Sequence, residues 1–467
     1  MAKIAFVQNV FYEYLGIMHL SAMLKKYGHE VEVFIVSRDE KTALNEIIAY
    51  KPDLIGFSCT TGGHVWALGF AEKLKGVFKC KIIFGGPHAT FSPDIIHEPQ
   101  VDIICRGEGE HAIVELADKM DSGSDYTRTL NCWFKKGAEI IQNDQRFLIE
   151  NLDILPYPDR ELYVRKYSFL KMSLKVFMAG RGCPFECTFC FNHAFKKLYR
   201  GKGRMVRYRS VGNVIAEMRD VKERQRARTI FMQDDTLILN KKWLKEFCSE
   251  YKKTIGLPFV CLVRADLLDE MTVSMLKDAG CVNVFFGIET GSQELRDRLL
   301  KKKVTTDEII SAASLLHKFG IKFRTYNMLG LPDETLEDAV ITVQLNAEIR
   351  TDYPWCSVYQ PFPGTDLANY AVARGLLDES HTFSRSFFKG SMLKGQSTDI
   401  INLQKLFFYG VKYPWLIPFL RKIIGLKPNF LFDVAFILSY AWCYLASQRM
   451  TIKDMLSVGS RNLRFFK

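Results

Sequence analysis

The sequence predicts an α/β chain in three parts. A Rossmann-like parallel sheet comes first, a partial (β/α)6 barrel lies in the middle, and a helical region that is both basic and apolar ends the chain. Three observations carry this. Short apolar runs alternate with helix-length segments over the first 135 residues, a second βα rhythm fills the middle, and near residue 385 the rhythm gives way to long apolar stretches punctuated by Lys and Arg. The expected divisions are 1–135, a linker over 136–170, the barrel over 171–385, and the helical region over 386–467. At 467 residues the chain suits about three domains of roughly 150 residues each. Hydrophobic residues at 48% with charged residues at 25% describe a globular chain rather than a disordered one.

In the first part, KIAFVQ and residues 30–36, 53–59, 81–84 and 102–105 read as strands, with helices over 17–27, 64–75 and 110–120. Near-continuous apolar strands alternating with helices argue for a parallel sheet covered on both faces. Ligands of such sheets sit beyond the carboxyl ends of the strands. Those ends carry Gln8-Asn9, Ser58-Cys59-Thr60-Thr61-Gly62-Gly63 and Gly85-Gly86-Pro87-His88-Ala89-Thr90. Glycines there let a large ligand approach the backbone closely. His88, beside Pro87, suits either a ligand contact or a hydrogen-bonded turn. No G-x-G-x-x-G follows the first strand, so a dinucleotide is not indicated.

A connector bearing Pro156 and Pro158 suits a domain linker and leads to a strand over 174–180. Further strands are expected at 229–233, 259–263, 283–287, 322–328 and 357–360. Just past them come Asp234-Asp235, Arg264-Ala265-Asp266, Glu289-Thr290-Gly291-Ser292, Gly330-Leu331-Pro332 and Pro361-Phe362-Pro363-Gly364-Thr365. Polar and glycine residues at the carboxyl ends of successive strands are how a parallel α/β barrel presents its site. Six units rather than eight imply an open barrel with room for a bulky substrate. The basic segment Lys196, Lys197, Arg200, Lys202, Arg204, Arg207 and Arg209 reads either as a solvated surface or as compensation for nearby anionic groups.

The strand at 174–180 feeds GRGCPFECTFCFNH, which places Cys183, Cys187 and Cys190 within eight residues. Thiolates so spaced on a short loop can hold three corners of an iron–sulfur cube and leave the fourth iron open, and an open coordination position is a reactive one. With His193, the same cysteines could instead form a Cys3His zinc knuckle. Cys59, Cys80, Cys105, Cys248, Cys261 and Cys281 are dispersed and read as small buried residues of a reducing compartment. MAKIAFVQNV reads as a strand rather than a signal peptide, which agrees with a cytoplasmic location.

C-x3-C-x2-C with Phe189 before the last cysteine resembles the signature of the radical S-adenosylmethionine (radical SAM) superfamily. The resemblance implies a [4Fe–4S] cluster on Cys183, Cys187 and Cys190, whose free iron chelates S-adenosyl-L-methionine. One electron then cleaves that molecule to a 5′-deoxyadenosyl radical. MQDDTLILN resembles the segment that meets the amino group of S-adenosylmethionine, with Asp234 and Asp235 replacing a more familiar Gly-Gly-Glu. FFGIETGS resembles the ribose-binding segment, which implies that Glu289 accepts from the ribose hydroxyls with Ser292 nearby. NMLGLPDET resembles the segment whose backbone meets adenine, here at Gly330 and Leu331, and Arg264 suits a forked ion pair with the methionine carboxylate. Against these stand local roles: Asp235 as a helix cap near Asn240, and Arg264 paired with Asp266.

GHEVEVF, DLIGFS, FGGPHAT and CRGEGE resemble the cobalamin-binding domain found ahead of many radical SAM domains. The D-x-H-x-x-G motif that supplies a histidine to cobalt is missing, and His19, His29, His64 and His88 do not fit it. The resemblance then implies a cobalt without a motif histidine below it, faced by the loops at Gln8-Asn9 and residues 58–62. A Rossmann-like module that binds no nucleotide is the alternative.

The net charge is +12, and residues 401–467 carry ten Lys or Arg against Asp433 and Asp454, which is +8 of the total. Basic and apolar together point to an anionic membrane surface rather than to nucleic acid. The apolar run at 430–446 is about 17 residues, at the lower limit for a bilayer that needs roughly 20. It reads as a buried helix closing the site, an interfacial helix beside a lipid-like substrate, or a span.

The resemblance as a whole implies a cobalamin-dependent radical SAM enzyme. It is expected to methylate an unactivated carbon of a hydrophobic or bulky substrate such as a lipid, terpenoid or tetrapyrrole. Methylcobalamin would deliver the methyl group, a second S-adenosylmethionine would restore it, and a reductase, flavodoxin or ferredoxin would supply electrons. The expected place is the cytoplasm, peripheral to the inner face of the membrane. The alternatives are a cyclase or oxidase without methyl transfer, and a non-catalytic metal-and-lipid binding protein.

Overall fold

The computed structural model describes residues 1–37, 39–378, 390–454 and 456, so the expected boundary near residue 385 lies outside the described residues. The first sheet has seven strands: β1 (Lys3–Gln8), β2 (Glu30–Ile35), β3 (Leu54–Ser58), β4 (Lys81–Gly85), β5 (Ile103–Cys105), β6 (Cys132–Lys136) and β7 (Glu139–Gln142), in the order β2-β1-β3-β4-β5-β6-β7. β1 to β5 run parallel, as their apolar character demands. Helices Leu15–Lys26 and Glu110–Asp121 cover one face, and Glu40–Tyr50 and Gly63–Val77 the other.

Three features were not foreseen. Helix Glu40–Tyr50 follows an Asp39 cap but buries only Ala43 and Ile47, so its apolar stripe is faint in the sequence. The FGGPHAT turn continues directly into the short helix Gly86–Phe91. β6 and β7 add an antiparallel hairpin at the sheet edge, turning at Gly137, whose φ of 63° suits glycine.

The second sheet is entirely parallel. It consists of β8 (Leu174–Phe177), β11 (Thr229–Met232), β12 (Phe259–Leu262), β13 (Cys281–Glu289), β14 (Lys322–Leu329) and β15 (Tyr353–Val358), in the order β15-β14-β13-β12-β11-β8. β8 and β15 stay at the two edges, so six βα units make an open barrel. β15 starts four residues before the expected strand, at Tyr353. A small antiparallel ribbon, β9 (Gly180–Arg181) and β10 (Arg207–Tyr208), frames the cysteine loop. Helices Val211–Gln225, Lys241–Thr254, Glu270–Asp278 and Thr306–Lys318 pack outside, while Leu174, Phe231, Val260 and Phe285 fill the inside.

After residue 390 come helices Thr398–Lys412, Ile417–Ile423 and Phe430–Gln448. The last has one buried face. Asn283 Nδ2 of β13 donates to Ser447 O at 2.6 Å, Arg324 Nη2 of β14 donates to Cys443 O at 2.9 Å, and Tyr440 lies 4.0 Å from Trp355 of β15. Asn283 and Arg324 stand near the amino ends of their strands, so this helix closes the floor of the barrel.

The linker is held by charge. Glu217, on helix Val211–Gln225, accepts from Arg160 Nη2 at 2.8 Å and Arg209 Nη1 at 2.5 Å, and all three are buried. Burial alone would raise the Glu217 carboxyl, but the two guanidiniums outweigh it and hold the group below its usual range. Glu217→Ala strands two buried cations and should destabilise the chain by about 3–5 kcal/mol in urea unfolding followed by circular dichroism.

Candidate active site

The cysteine loop leaves β9 at Gly182, whose φ is 88° and where any Cβ would overlap the carbonyl of Met205. Its middle is pinned where Thr188 N donates to Leu300 O at 3.0 Å and Thr188 Oγ1 to Leu299 O at 2.7 Å. After Cys190 the chain enters helix Phe191–Leu198. Cys187 is buried, and Cys183 and Cys190 are half-buried. Burial pushes all three thiols up, that of Cys190 to about 12; neighbouring cysteines add to the rise at Cys183 and Cys190, while Lys302 and Arg264 oppose it at Cys187. Among the described residues no three His, Cys, Asp or Glu side chains converge as a mononuclear metal site would need. His193, the fourth ligand of a zinc knuckle, turns Nε2 to Asp366 at 3.1 Å.

The neighbouring strand ends divide their residues between the site and the scaffold. Asp234 is buried and accepts from Ala179 N at 3.0 Å and Gly180 N at 2.6 Å, so it anchors the root of the cysteine loop. Burial raises its carboxyl to about 7. Asp235 instead faces a cavity, near Asn192. Arg264 spends its fork on Asp266 at 2.9 and 3.0 Å and on Lys302 O at 2.9 Å, while its Nη1 lies 3.9 Å from Cys187 Sγ. Glu289 is buried with Lys302, whose Nζ donates to its Oε1 at 2.6 Å. Ser292 is buried in a turn fixed by Thr342, whose hydroxyl accepts from Gly291 N at 2.7 Å. At Gly330, with a φ of 77°, the N–H is taken by Glu334 and the carbonyl accepts from Gln396 at 2.8 Å. Leu331 and Phe189 belong to one apolar cluster.

A cavity of about 510 Å³ lies between the two sheets, within the size range of small-molecule sites. Ser58, Gly85, Gly86 and Pro87 line it from the first sheet; Met178, Gly182, Asn192 and Asp235 line it from the second. Phe6, Phe57, Phe91, Phe191 and Met205 make it largely apolar. At Gly16 and Gly85 a Cβ would meet nothing closer than 3.9 Å, so bare backbone faces open space.

Gln8, Asn9, Thr60, Thr61, Gly62 and His88 do not line this cavity. Gln8 spends its amide on its own turn, donating to Val10 O at 2.6 Å and Tyr12 O at 2.8 Å and accepting from Tyr163 at 2.7 Å. Gly62 N donates to His64 Nδ1 at 3.1 Å. Thr61 Oγ1 lies 3.1 Å from His88 Nδ1, and His88 stacks on His64 with centroids 3.6 Å apart. Three residues without a clear sequence signal also belong here: Glu108 and Arg181, which pair at 3.0 Å in the cavity wall, and Lys302, which pairs with Glu289. These partners are far apart in sequence, so no local pattern marks them; only the run Lys301-Lys302-Lys303 hinted at the last.

Residues 178–345 match the radical SAM superfamily and residues 7–117 the B12 binding domain. A protein of Pyrococcus horikoshii named as an uncharacterized methyltransferase is 30% identical over 372 residues, 78% of this chain and 79% of that protein. The chain belongs to the B12-binding radical SAM enzymes. An anaerobic magnesium-protoporphyrin IX monomethyl ester cyclase of Rubrivivax gelatinosus is 27% identical, over 75% of this chain and 65% of its own length. The fold resembles that of the cobalamin-dependent radical SAM enzyme OxsB, solved with aqua-cobalamin and S-adenosylmethionine bound. The TM-score is 0.68 at 17% identity, over 99% of this chain and 75% of that one. The cofactors of this radical SAM enzyme are accordingly a [4Fe–4S] cluster, S-adenosyl-L-methionine and cobalamin.

The stacked histidines give the first sheet a pH dependence. Burial pushes His88 down to about 3 and His64 down to about 4, so both stay neutral while an unfolded chain takes up protons below about 6.5. Stability should therefore fall as pH drops from about 6.5 toward 4. His88→Asn should flatten that slope in unfolding measured across the range.

Proposed function

We propose that this enzyme transfers a methyl group to an unactivated carbon of a hydrophobic or bulky small molecule. The observation that carries the reading is an apolar cavity that meets the Gly85-Gly86 turn on one side and Asp235, beside the cysteine loop, on the other. Groups held on the two sides would share one largely apolar space. When bound, the cluster with S-adenosylmethionine supplies hydrogen-atom abstraction and cobalamin supplies a transferable methyl group.

Cys183, Cys187 and Cys190 would hold the cluster. Their surroundings fit it: an arginine N–H directed at Cys187 and the Lys302 ammonium nearby are the kind of second layer that tunes cluster sulfurs. Arg264 then acts on Cys187 rather than on the methionine carboxylate. Asp235, the member of the pair that faces the cavity, would accept from the methionine amino group, with Asp234 holding the loop beneath. Lys302 grips Glu289 Oε1 and leaves Oε2 for ribose hydroxyls, beside Ser292. Phe189, Gly330 and Leu331 would form the wall for adenine. On the first sheet, Ser58, Gly85, Gly86 and Pro87 would support cobalamin, where the open backbone at Gly16 and Gly85 leaves a cradle that side chains would fill.

A hydrophobic substrate, tetrapyrrole or lipid, agrees with the lining. The partners that follow are a small electron-donor protein and, at the C-terminal region, a membrane surface, with the enzyme in the cytoplasm. The cyclase relative favours a second reading, ring closure or oxidation without methyl transfer.

The test is mass spectrometry of S-adenosylmethionine products from anaerobically reconstituted enzyme with cobalamin, a strong reductant and a bacterial lipid extract. 5′-Deoxyadenosine and S-adenosylhomocysteine should rise together and only with extract. 5′-Deoxyadenosine alone would favour cyclisation or oxidation, and neither product a binding protein without turnover. Cys187→Ala should abolish both cluster absorbance and products. At Gly287→Ala the new methyl would overlap Glu289 Oε1 and lie 2.6 Å from Lys302 Nζ. It should weaken S-adenosylmethionine binding by about tenfold or more in equilibrium dialysis, with cluster content retained.

A further inference from the structure

Among the described residues, 12 of the 21 large hydrophobic side chains left exposed lie between Tyr413 and Leu456. Five of them, Phe430, Leu431, Val434, Leu438 and Trp442, fall on one stripe of helix Phe430–Gln448. Phe430 is 72% exposed and Leu431 and Leu438 are 62% exposed. The opposite stripe, Phe432, Phe436, Ser439, Cys443 and Ser447, is buried against the barrel. Just upstream, Trp415 and Phe419 are 76% and 57% exposed.

Basic charge prevails around this apolar face, where Arg421 is paired with the exposed Glu337 at 2.6 Å. Lys422, Lys427, Arg449 and Lys453 are exposed. Between Asp399 and Asp454 the sequence holds a single acid, Asp433, and Lys405 neutralises it at 2.7 Å. Two copies of this face brought together would oppose like charges, whereas an anionic lipid surface complements both the apolar stripe and its rim.

We infer that this face docks on an anionic phospholipid bilayer, with helix Phe430–Gln448 lying in the plane of the interface. The helix has the length and composition of a membrane span. Its inner face, however, is part of the protein: Asn283 donates to Ser447 O, Arg324 to Cys443 O and Ser447 Oγ, and Tyr440 packs on Trp355. Arg324 is buried and sits against carbonyls near the carboxyl end of the helix, where the helix dipole favours a cation. Pulling the helix across a bilayer would strand that charge and open the barrel floor. The inference stands apart from methyl transfer, since it rests on the outer surface alone.

The test is flotation of the full-length, cluster-loaded enzyme with vesicles of phosphatidylcholine alone or with 30% phosphatidylglycerol. Binding to the anionic vesicles is expected, weakening as salt is raised. Lys422→Gln with Lys427→Gln should lower the partition coefficient roughly thirtyfold, and Leu431→Ser with Leu438→Ser about tenfold or more. Circular dichroism and cluster absorbance should stay unchanged in both. No flotation with either vesicle, or flotation indifferent to both double variants, would overturn the inference. So would a dimer in light scattering that Leu431→Ser with Leu438→Ser dissociates, or protein that resists alkaline carbonate extraction as a spanning protein does.

Discussion

Glu108 ties the two halves of the molecule together, and the geometry of the site follows from that tie. It sits just past β5, in the last turn of the first sheet's parallel part. Its Oε1 accepts from Arg181 Nη1 at 3.0 Å and Arg207 Nη2 at 2.9 Å, and its Oε2 accepts from Ile149 N at 3.0 Å. Across the same turn the Tyr199 hydroxyl accepts from Glu108 N at 3.0 Å. Arg181 also pairs with Glu110 at 2.5 Å, whose carboxyl the guanidinium holds low against the opposing effect of burial. Arg181 and Arg207 face each other across the β9–β10 ribbon, and Cys183 is only two residues beyond Arg181. A largely buried network of this kind contributes little net stability by itself, but it fixes one geometry, because any slip leaves a charge without its partner. The cysteine loop is thereby held opposite the glycine turns of the first sheet.

An aromatic seam completes the junction. Phe191, the first residue of the helix after Cys190, stacks on Phe91 with centroids 4.8 Å apart and also meets Phe362 at 5.3 Å. The Tyr199 hydroxyl fits against Glu108 because Gly107, with a φ of 81°, has no Cβ to block it. Ion pairs set the register of the two halves, and the seam supplies the apolar wall of the cavity between them. Register and wall together give the cavity its fixed, largely apolar shape.

The strands were legible because apolar runs of five or six residues bounded by glycine or polar turns have few other readings; β1 and the parallel character of both sheets follow from that pattern. Helix Glu40–Tyr50 and the β6–β7 hairpin were not, because each buries few residues and leans on neighbours for its stability. The three cysteines stood out for the same local reason as the strands. Gln8, Thr61 and His88 lie on the expected loops, and their contacts are set by residues that a linear pattern does not pair: Gln8 with Tyr163 and its own turn, Thr61 with His88. Asp234 and Asp235 are adjacent and chemically identical, and only the pleat of the strand end decides that one anchors backbone while the other faces the cavity. Glu108 and Lys302 gain their roles from partners supplied by other elements, which a linear pattern does not encode.

Glu289 concentrates these constraints in one residue. Its φ of 70° is rare for a residue with a side chain and falls where the register of β13 against β14 shifts, between Gly287 and Glu289. Such a backbone costs on the order of 1–3 kcal/mol and persists only where its surroundings enforce it. Lys302 enforces it from one side, and the missing side chain of Gly287 leaves the room the ion pair occupies. A carboxylate needed only to cap or to fill space would not require this conformation. The strain at Glu289 is thus held in place by its neighbours, with the Lys302 ion pair and the bare backbone of Gly287 together fixing where the carboxylate lies at the end of β13.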